Sequence, residues 1–425
     1  MLSKADNELL CRIGPGTPMG AVFRRFWNPV CLSEQLPHPD CGPLRVEILG
    51  ERMVAFPNSE GDVGLLEEGC PHRGVSLALG RVEDNGLRCL FHGWKFAVDG
   101  AILDVPNCPD IALRHRLKAQ CYPVREAGGF VWAYMGPPEK VAAFPRWRFM
   151  DIPLANVRVN RIDADVNYMQ QLEGGADSSH VGILHSNFAR PGWMSGGFNP
   201  NTDPDNPAAL ATGDLAPALD LEDTEFGFHY AAIRQLASNE AAGRRNVRVV
   251  PIVMPTTRII PSPAMQFVIF EVPVNDTRTA TFAATFRLDG GPIDKWKLNE
   301  MSGRHNPELF DERTHGYLGT WENRFGQKRE QMRENWTGIK GVVMEDLAMA
   351  LSQGPIVDRG KEHLVPADQA IARARKQLMD SARMVAAGGD PIGVHTDVSR
   401  IRAIDAKVSR NVRWQDLVAP EPVSA

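Results

Sequence analysis

Four residues in two short stretches carry the first chemistry of this chain: Cys70-Pro-His72 and, after sixteen intervening residues, Cys89-Leu-Phe-His92. Each stretch offers one thiolate and one imidazole. A [2Fe–2S] cluster with two sulfur ligands on one iron and two nitrogen ligands on the other needs that set, and the nitrogen pair raises its reduction potential. Each loop would supply one ligand to each iron. A structural zinc ion uses the same donors, but its pairs are usually Cys-x-x-Cys and His-x₃₋₅-His, whereas both pairs here mix Cys with His. A second constellation follows at Asp177-Ser-Ser-His180-Val-Gly-Ile-Leu-His185. Two imidazoles and a carboxylate form the facial set of a non-haem Fe(II) site, with positions left open for oxygen and substrate. On an ideal helix a spacing of five leaves the histidines about 140° apart. A helix that ends or distorts between them removes the difficulty, and Gly182 eases such a break. Two separate structural histidines are the plain alternative. The upstream cluster weighs against it, because an iron that activates O₂ takes electrons one at a time.

These side chains need elements to hold them. At 425 residues the chain exceeds one typical domain, so two are expected. The Gly136-Pro-Pro-Glu-Lys140 stretch reads as the linker, giving a first domain over 1–140, with a strand-rich core at about 26–136, and a second over 141–425. In the first, Leu44–Leu49, Met53–Phe56 and Gly129–Tyr134 read as strands, Phe96–Leu103 reads as a hairpin turning at Asp99-Gly100, and both Cys/His pairs fall at loop tips. In the second, Phe226–Arg234, Val247–Val253, Met265–Val272 and Thr279–Phe286 read as an antiparallel sheet. Asp311–Asn335 and Asp368–Ala387 read as helices, and 194–220 as a long loop able to cover a site. The fold class is α+β.

Composition excludes several functions. Hydrophobic residues make 43% and charged residues 23%, with a net charge of −5. Neither nucleic acid nor an anionic membrane is therefore an expected partner. No signal peptide and no apolar run of about 18 residues is visible, so a soluble cytoplasmic protein is expected. Cys11, Cys31, Cys41, Cys108 and Cys121 lack metal-like spacing and read as small buried hydrophobes in a reducing compartment.

Across nearly its whole length the chain resembles the catalytic α subunits of Rieske non-haem iron ring-hydroxylating oxygenases, in the phthalate 4,5-dioxygenase-like branch. The residues that carry the resemblance are Cys70-Pro-His72-Arg-Gly, Cys89-Leu-Phe-His92-Gly-Trp-Lys-Phe, and Asn167 through Glu173, Asp177, His180 and His185. Asp6 to Gly16, Met344-Glu-Asp346-Leu-Ala-Met349 and Gly354-Pro-Ile-Val-Asp-Arg359 add to it. The resemblance implies an N-terminal antiparallel β Rieske domain and a C-terminal catalytic domain whose antiparallel sheet is packed by helices in a helix-grip, START-like manner. It assigns Cys70 and Cys89 to one cluster iron, His72 and His92 to the other, and His180, His185 and Asp346 to a mononuclear Fe(II). Glu345 stands beside Asp346 as another carboxylate, and a solvated acidic pair near a helix start is the plain reading of both. Asp177 would link a cluster histidine of a neighbouring subunit to an iron histidine, while a helix N-cap is its other reading. A head-to-tail homo-oligomer, a trimer or stacked trimers, follows from that role.

The same resemblance implies a separate NAD(P)H-dependent flavin/iron–sulfur reductase. Gly14-Pro-Gly16-Thr-Pro-Met-Gly20 does not have the dinucleotide-binding spacing and reads as a turn. Aromatic carboxylate and O₂ would be the substrates and a cis-dihydrodiol the product, as in aromatic catabolism. A cationic anchor is then required. Arg234 and Arg248 lie in strand-like segments, and Arg244, with Arg245, at the turn between them; a solvent-facing arginine is the alternative for each. A Rieske monooxygenase or O-demethylase would use the same two metal sites and insert one oxygen atom. A cluster-only electron carrier would leave His180 and His185 without a task.

Overall fold

The computed structural model describes residues 1–108, 112–186, 213–236, 243–262 and 264–419. Two compact units emerge: Arg12–Phe144 with Val272–Asp276, and Met1–Cys11, Pro145–Glu271 and Thr277–Ala425. The first eleven residues, expected with the smaller domain, therefore pack in the larger unit. Their reason is burial and hydrogen bonding: Leu10 and Cys11 are buried, Tyr168 Oη donates to the Leu10 carbonyl at 2.6 Å, and Asn167 Nδ2 donates to that of Cys11 at 3.0 Å.

Three small antiparallel sheets build the smaller unit. Trp27–Leu32 pairs with Phe130–Tyr134, which pairs with Val124–Ala127. Leu44–Ile48, Glu51–Pro57 and Val63–Glu67 form a meander. Arg81–Glu83, Gly86–Arg88, Lys95–Phe96 and Ile102–Asp104 form the third sheet, whose last hairpin turns at Asp99-Gly100 as expected. Cys70 and His72 lie between Val63–Glu67 and Arg81–Glu83, and Cys89 and His92 between Gly86–Arg88 and Lys95–Phe96. Both loops close over one core of Val54, Phe56, Leu66, Leu77, Leu87, Trp94 and Phe96. Short strands with a shared core hold the loop bases still.

The larger unit is organised by a ten-stranded sheet. Ala218–Thr224, Gly227–Gln235, Arg244–Val253, Thr257–Pro261, Met265–Asn275 and Arg278–Arg287 lie side by side in chain order, and Val157–Ala164 pairs with the last of them. Gly316–Tyr317 and Phe310–Asp311 extend that edge, and Ile404–Ser409 pairs with Arg244–Val253. Helices Tyr168–Gly175, Val342–Ser352 and Gln369–Ala386 complete the mixed α+β unit. Ala370, Ile371, Ala374, Leu378 and Ala382 are buried along the last of these, the stripe a core-facing helix requires.

The helix expected over Asp311–Asn335 is absent. Two-residue strands and the 3₁₀ turns Arg324–Gly326 and Arg329–Arg333 take its place. Side-chain acceptors divert the backbone: Asp311 Oδ1 accepts from Arg313 N–H, and Asn323 Oδ1 accepts from Thr320 and Phe325 N–H. Such bonds compete with helix formation. The long loop expected at 194–220 lies, up to residue 212, outside the described residues; Ala218–Thr224 forms one edge of the large sheet. Among the described residues no helix is long and apolar enough to cross a membrane.

Candidate active site

Both Cys/His loops share one hydrogen-bond pattern. Cys70 N–H donates to the Val75 carbonyl at 2.9 Å and Gly74 N–H to the Cys70 carbonyl at 2.8 Å; Cys89 N–H donates to Trp94 at 2.8 Å and Gly93 N–H to Cys89 at 3.0 Å. Gly74 and Gly93 hold equivalent places, with φ of +72° and +77°, where a Cβ would be strained. The cysteines are buried and the histidines half-buried. His72 and His92 meet edge to face with centroids 4.5 Å apart, and Trp94 stacks on His72 at 4.9 Å. Trp94 is itself held by Asn107 at 2.8 Å.

These donors fit a cluster. His92 Nδ1 is buried without a hydrogen-bond partner, as a nitrogen serving iron would be. Burial, with Cys89 alongside, pushes the Cys70 thiol up to about 11, so it would ionise only when a metal takes its charge.

In the larger unit His180 and His185 flank the one-turn helix Val181–Leu184. Because the helix ends there, the two rings come within 5.2 Å of each other. Asp346, from Val342–Ser352, faces both: its Oδ1 lies 3.0 Å from His185 Nε2 and 3.7 Å from His180 Nε2. The outer side of His185 is occupied. Its Nδ1 contacts Glu345 Oε2 at 2.7 Å, and Glu345 Oε1 accepts from Thr337 Oγ1 at 2.7 Å. A carboxylate behind an imidazole fixes Nδ1–H and leaves the Nε2 lone pair for metal. Glu345 is fully buried, so the solvated acidic pair does not form. Neighbouring helix residues point about 100° apart, which puts Asp346 before the histidines and Glu345 behind one of them. Burial alone would lower the pKa of His185, yet Asp346 and Glu345 raise it to about 10; a cation is wanted there. Glu345→Gln is expected to weaken Fe(II) binding by about 10–100-fold, measured on apoprotein by chelator competition. Unchanged affinity would count against its role behind His185.

Asp177 does two things. Its Oδ1 accepts from Ser179 N–H and Oγ–H, each at 2.7 Å, capping the turn, while Oδ2 lies 3.4 Å from His180 Nδ1. Burial would raise its pKa, but His180 and Ser179 hold it at about 2. The turn is anchored from the strand Gly227–Gln235: Tyr230 Oη donates to the Gly175 carbonyl at 3.2 Å, and Arg234 Nη2 to the Ser178 carbonyl at 2.8 Å. A Cβ on Gly175 would lie 2.1 Å from Arg258 Cδ, so a side chain there would have to displace that arginine.

Ala232 pairs with Arg248 and Ile252 with Arg258, so Arg234, Arg248 and Arg258 share one sheet face. Arg248 meets Asp405 at 3.3 Å and Arg258 meets Glu271 at 2.5 Å. Arg234 is 3% exposed and, among the described residues, has no acidic partner within ion-pair distance and no partner at Nε; burial pushes its pKa down. Arg244 and Arg245 belong to the strand Arg244–Val253 rather than the preceding turn, because Ile404–Ser409 pairs along that end. Arg244 is exposed, donates to the Lys407 carbonyl at 3.1 Å, and does not join the buried group. Sequence reasoning missed Arg258, since nothing in Thr256-Thr-Arg-Ile-Ile marks which face it takes.

Residues 26–123 match the Rieske [2Fe-2S] domain and residues 133–423 the LigXa C-terminal domain like family. The chain is 38% identical over 429 residues, 99% of this chain and 95% of the relative, to the phthalate 4,5-dioxygenase oxygenase subunit of Pseudomonas putida. It is 33% identical over 408 residues, 92% of this chain and 91% of the relative, to the 3-chlorobenzoate-3,4-dioxygenase oxygenase subunit of Comamonas testosteroni. Among solved structures, Pseudomonas putida CBB5 NdmA with caffeine shares the fold at a TM-score of 0.60 and 20% identity, covering 93% of this chain and 99% of that one. With a matched Rieske domain, a matched catalytic domain and full-length relatives, the chain belongs to the Rieske non-haem iron ring-hydroxylating oxygenases, in the phthalate 4,5-dioxygenase-like branch, whose cofactors are a [2Fe–2S] cluster and a mononuclear iron.

Proposed function

We propose that this chain is the terminal oxygenase of an aromatic-ring dioxygenase, adding both atoms of O₂ to an aromatic carboxylate to give a cis-dihydrodiol. A separate NAD(P)H-dependent reductase supplies the electrons. The observation that carries the oxygenase reading is the His180 Nε2, His185 Nε2 and Asp346 Oδ1 trio, backed on its outer side by Glu345. These three residues would hold the mononuclear iron, and Cys70, Cys89, His72 and His92 the cluster. When bound, the two groups supply one-electron transfer and oxygen activation. Glu345 and Thr337 keep His185 oriented, and Tyr230 and Arg234 keep the Asp177–His180 turn in place. Asp177, in a trimer or stacked trimers, would join a neighbouring subunit's cluster histidine to His180.

An aromatic carboxylate suits buried Arg234, whose guanidinium has no acidic partner within ion-pair distance among the described residues, and the two relatives are named for phthalate and 3-chlorobenzoate. Turnover of phthalate isomers and chlorobenzoates under ¹⁸O₂, with a surrogate reductase, tests the reading: the expected product carries two labelled hydroxyls. A single labelled oxygen, or loss of a methyl group from a methoxy substrate, would overturn it in favour of monooxygenation or O-demethylation. Arg234→Gln is expected to raise KM for the acid about tenfold or more, the scale of a hydrogen bond to a charged group. An unchanged KM removes Arg234 as anchor.

A further inference from the structure

Arg88 immediately precedes Cys89 and reaches over the second cluster loop. Its Nη1 donates to the Gly93 carbonyl at 2.6 Å, while Nε meets Glu83 at 2.7 Å and Nη1 meets Asp104 at 3.0 Å. Gly93 in turn donates its N–H to the Cys89 carbonyl. The guanidinium therefore grips the turn that carries Cys89 and His92 from outside, and two carboxylates from neighbouring strands fix its direction. Around it the sheet sets Arg81 and Lys95 in register on either side of Arg88, and Asp104 beyond Lys95. Arg81 contacts Glu83 at 3.1 Å, Arg114 contacts Asp104 at 3.3 Å, and Lys95 lies 3.8 Å from Asp84. Among the described residues the cations Arg81, Arg88, Lys95 and Arg114 outnumber the anions Glu83, Asp84 and Asp104 here, and Arg88 lies between Arg81 and Lys95.

The first cluster loop is closed differently. Glu68, two residues before Cys70, accepts from Ser76 Oγ at 2.7 Å and from Arg45 Nε at 2.8 Å. Both loops have polar clamps, and each has an arginine next to a ligand; Arg73, after His72, stands over the Phe91 ring at 5.3 Å, whereas Arg88 bonds the backbone of the second turn itself.

We infer that Arg88 is a positioning residue for the cluster, which holds the Cys89–Gly93 turn and favours the reduced state through its charge. The inference rests on Cys70, His72, Cys89 and His92 as the ligands. With two thiolates, two sulfides and neutral imidazoles, two ferric ions give a cluster of zero net charge. One electron from the reductase makes one iron ferrous and the net charge −1. A nearby cation stabilises that added charge and a nearby carboxylate opposes it. Because Arg88 is partly solvated, the effect is modest.

Redox titration of the intact, cluster-loaded protein, followed by visible absorption and electron paramagnetic resonance, tests this. Arg88→Gln is expected to shift the one-electron equilibrium about tenfold toward the oxidised form, which is 59 mV more negative. Arg88→Lys should restore most of the potential, and Asp104→Asn should move it the opposite way, upward. A merely structural clamp would not produce shifts of opposite sign. Equal potentials in all variants, or shifts of one sign in Arg88→Gln and Asp104→Asn, overturn the inference. Should Arg88→Gln not retain its cluster, Asp104→Asn decides: a raised potential supports the inference and an unchanged or lowered one overturns it. A wild-type protein without a reducible iron–sulfur spectrum would overturn the ligand assignment beneath it, a result that no variant potential can mimic.

Discussion

Asp346→Ala is expected to strip the mononuclear iron and abolish product formation, while the [2Fe–2S] cluster keeps its colour and remains reducible. One oxygen of Asp346 faces both histidines, at 3.0 Å and 3.7 Å, so its loss leaves two neutral nitrogens without an anionic donor. A facial site of two histidines and one carboxylate depends on that anion for charge as well as geometry. Glu345 is not positioned to replace it, since His185 and Thr337 occupy its two oxygens. The contrast with Glu345→Gln makes the prediction specific: one residue removes the iron, the other only loosens it. Iron and sulfide analysis beside product formation decides the matter. Native turnover in Asp346→Ala, or complete iron loss in Glu345→Gln with Asp346→Ala intact, would reverse the two roles.

The second large effect is on stability. Glu173 accepts from Arg359 Nε at 2.7 Å and Nη2 at 2.8 Å, and from Arg375 Nε at 2.6 Å. Arg359 has no exposed surface. Its remaining prong meets Asn7 at 3.0 Å and the Cys11 sulfur at 3.2 Å, which ties the helix Lys4–Cys11 to the same network. Arg375 keeps a second carboxylate, Glu362, through two bonds at 2.6 Å and 2.8 Å. Glu173→Gln therefore strands mainly Arg359, and breaking a buried pair from one side costs about 3–5 kcal/mol. Chemical denaturation of the larger unit should show that loss. Glu173→Leu combined with Arg359→Met should recover part of it, because both charges then leave the interior. A loss below about 1 kcal/mol in Glu173→Gln, the scale of an ordinary surface substitution, would sink the idea. Glu173 lies in the helix that ends at Gly175, just before Asp177, so the same variant should also loosen the turn that carries His180.

Sequence alone determined the donor types, their spacing and most strands. Cysteine and histidine chemistry is local: Cys70, His72, Cys89 and His92 carry their meaning wherever the loops point, and alternation at Thr279–Phe286 reports a strand without knowledge of its neighbours. That a long ideal helix would set His180 and His185 about 140° apart was also legible; the structure meets this with a single helical turn, Val181–Leu184, flanked by the two histidines. What only the tertiary structure decided involves partners distant in sequence or directions around a helix. Glu345 and Asp346 are adjacent and chemically alike; the helix's rotation per residue, set against two histidines about 160 positions earlier, gives one the front of the site and the other the back. Arg244 was read at a turn and Arg248 in a strand; pairing with Ile404–Ser409 puts both in one strand, Arg244 exposed and Arg248 beside Asp405. Asp311–Asn335 failed as a helix because its own Asp and Asn side chains capture backbone N–H groups, a contest that composition does not score. Residue identity sets which chemistry is available; long-range packing sets which copy of a residue performs it.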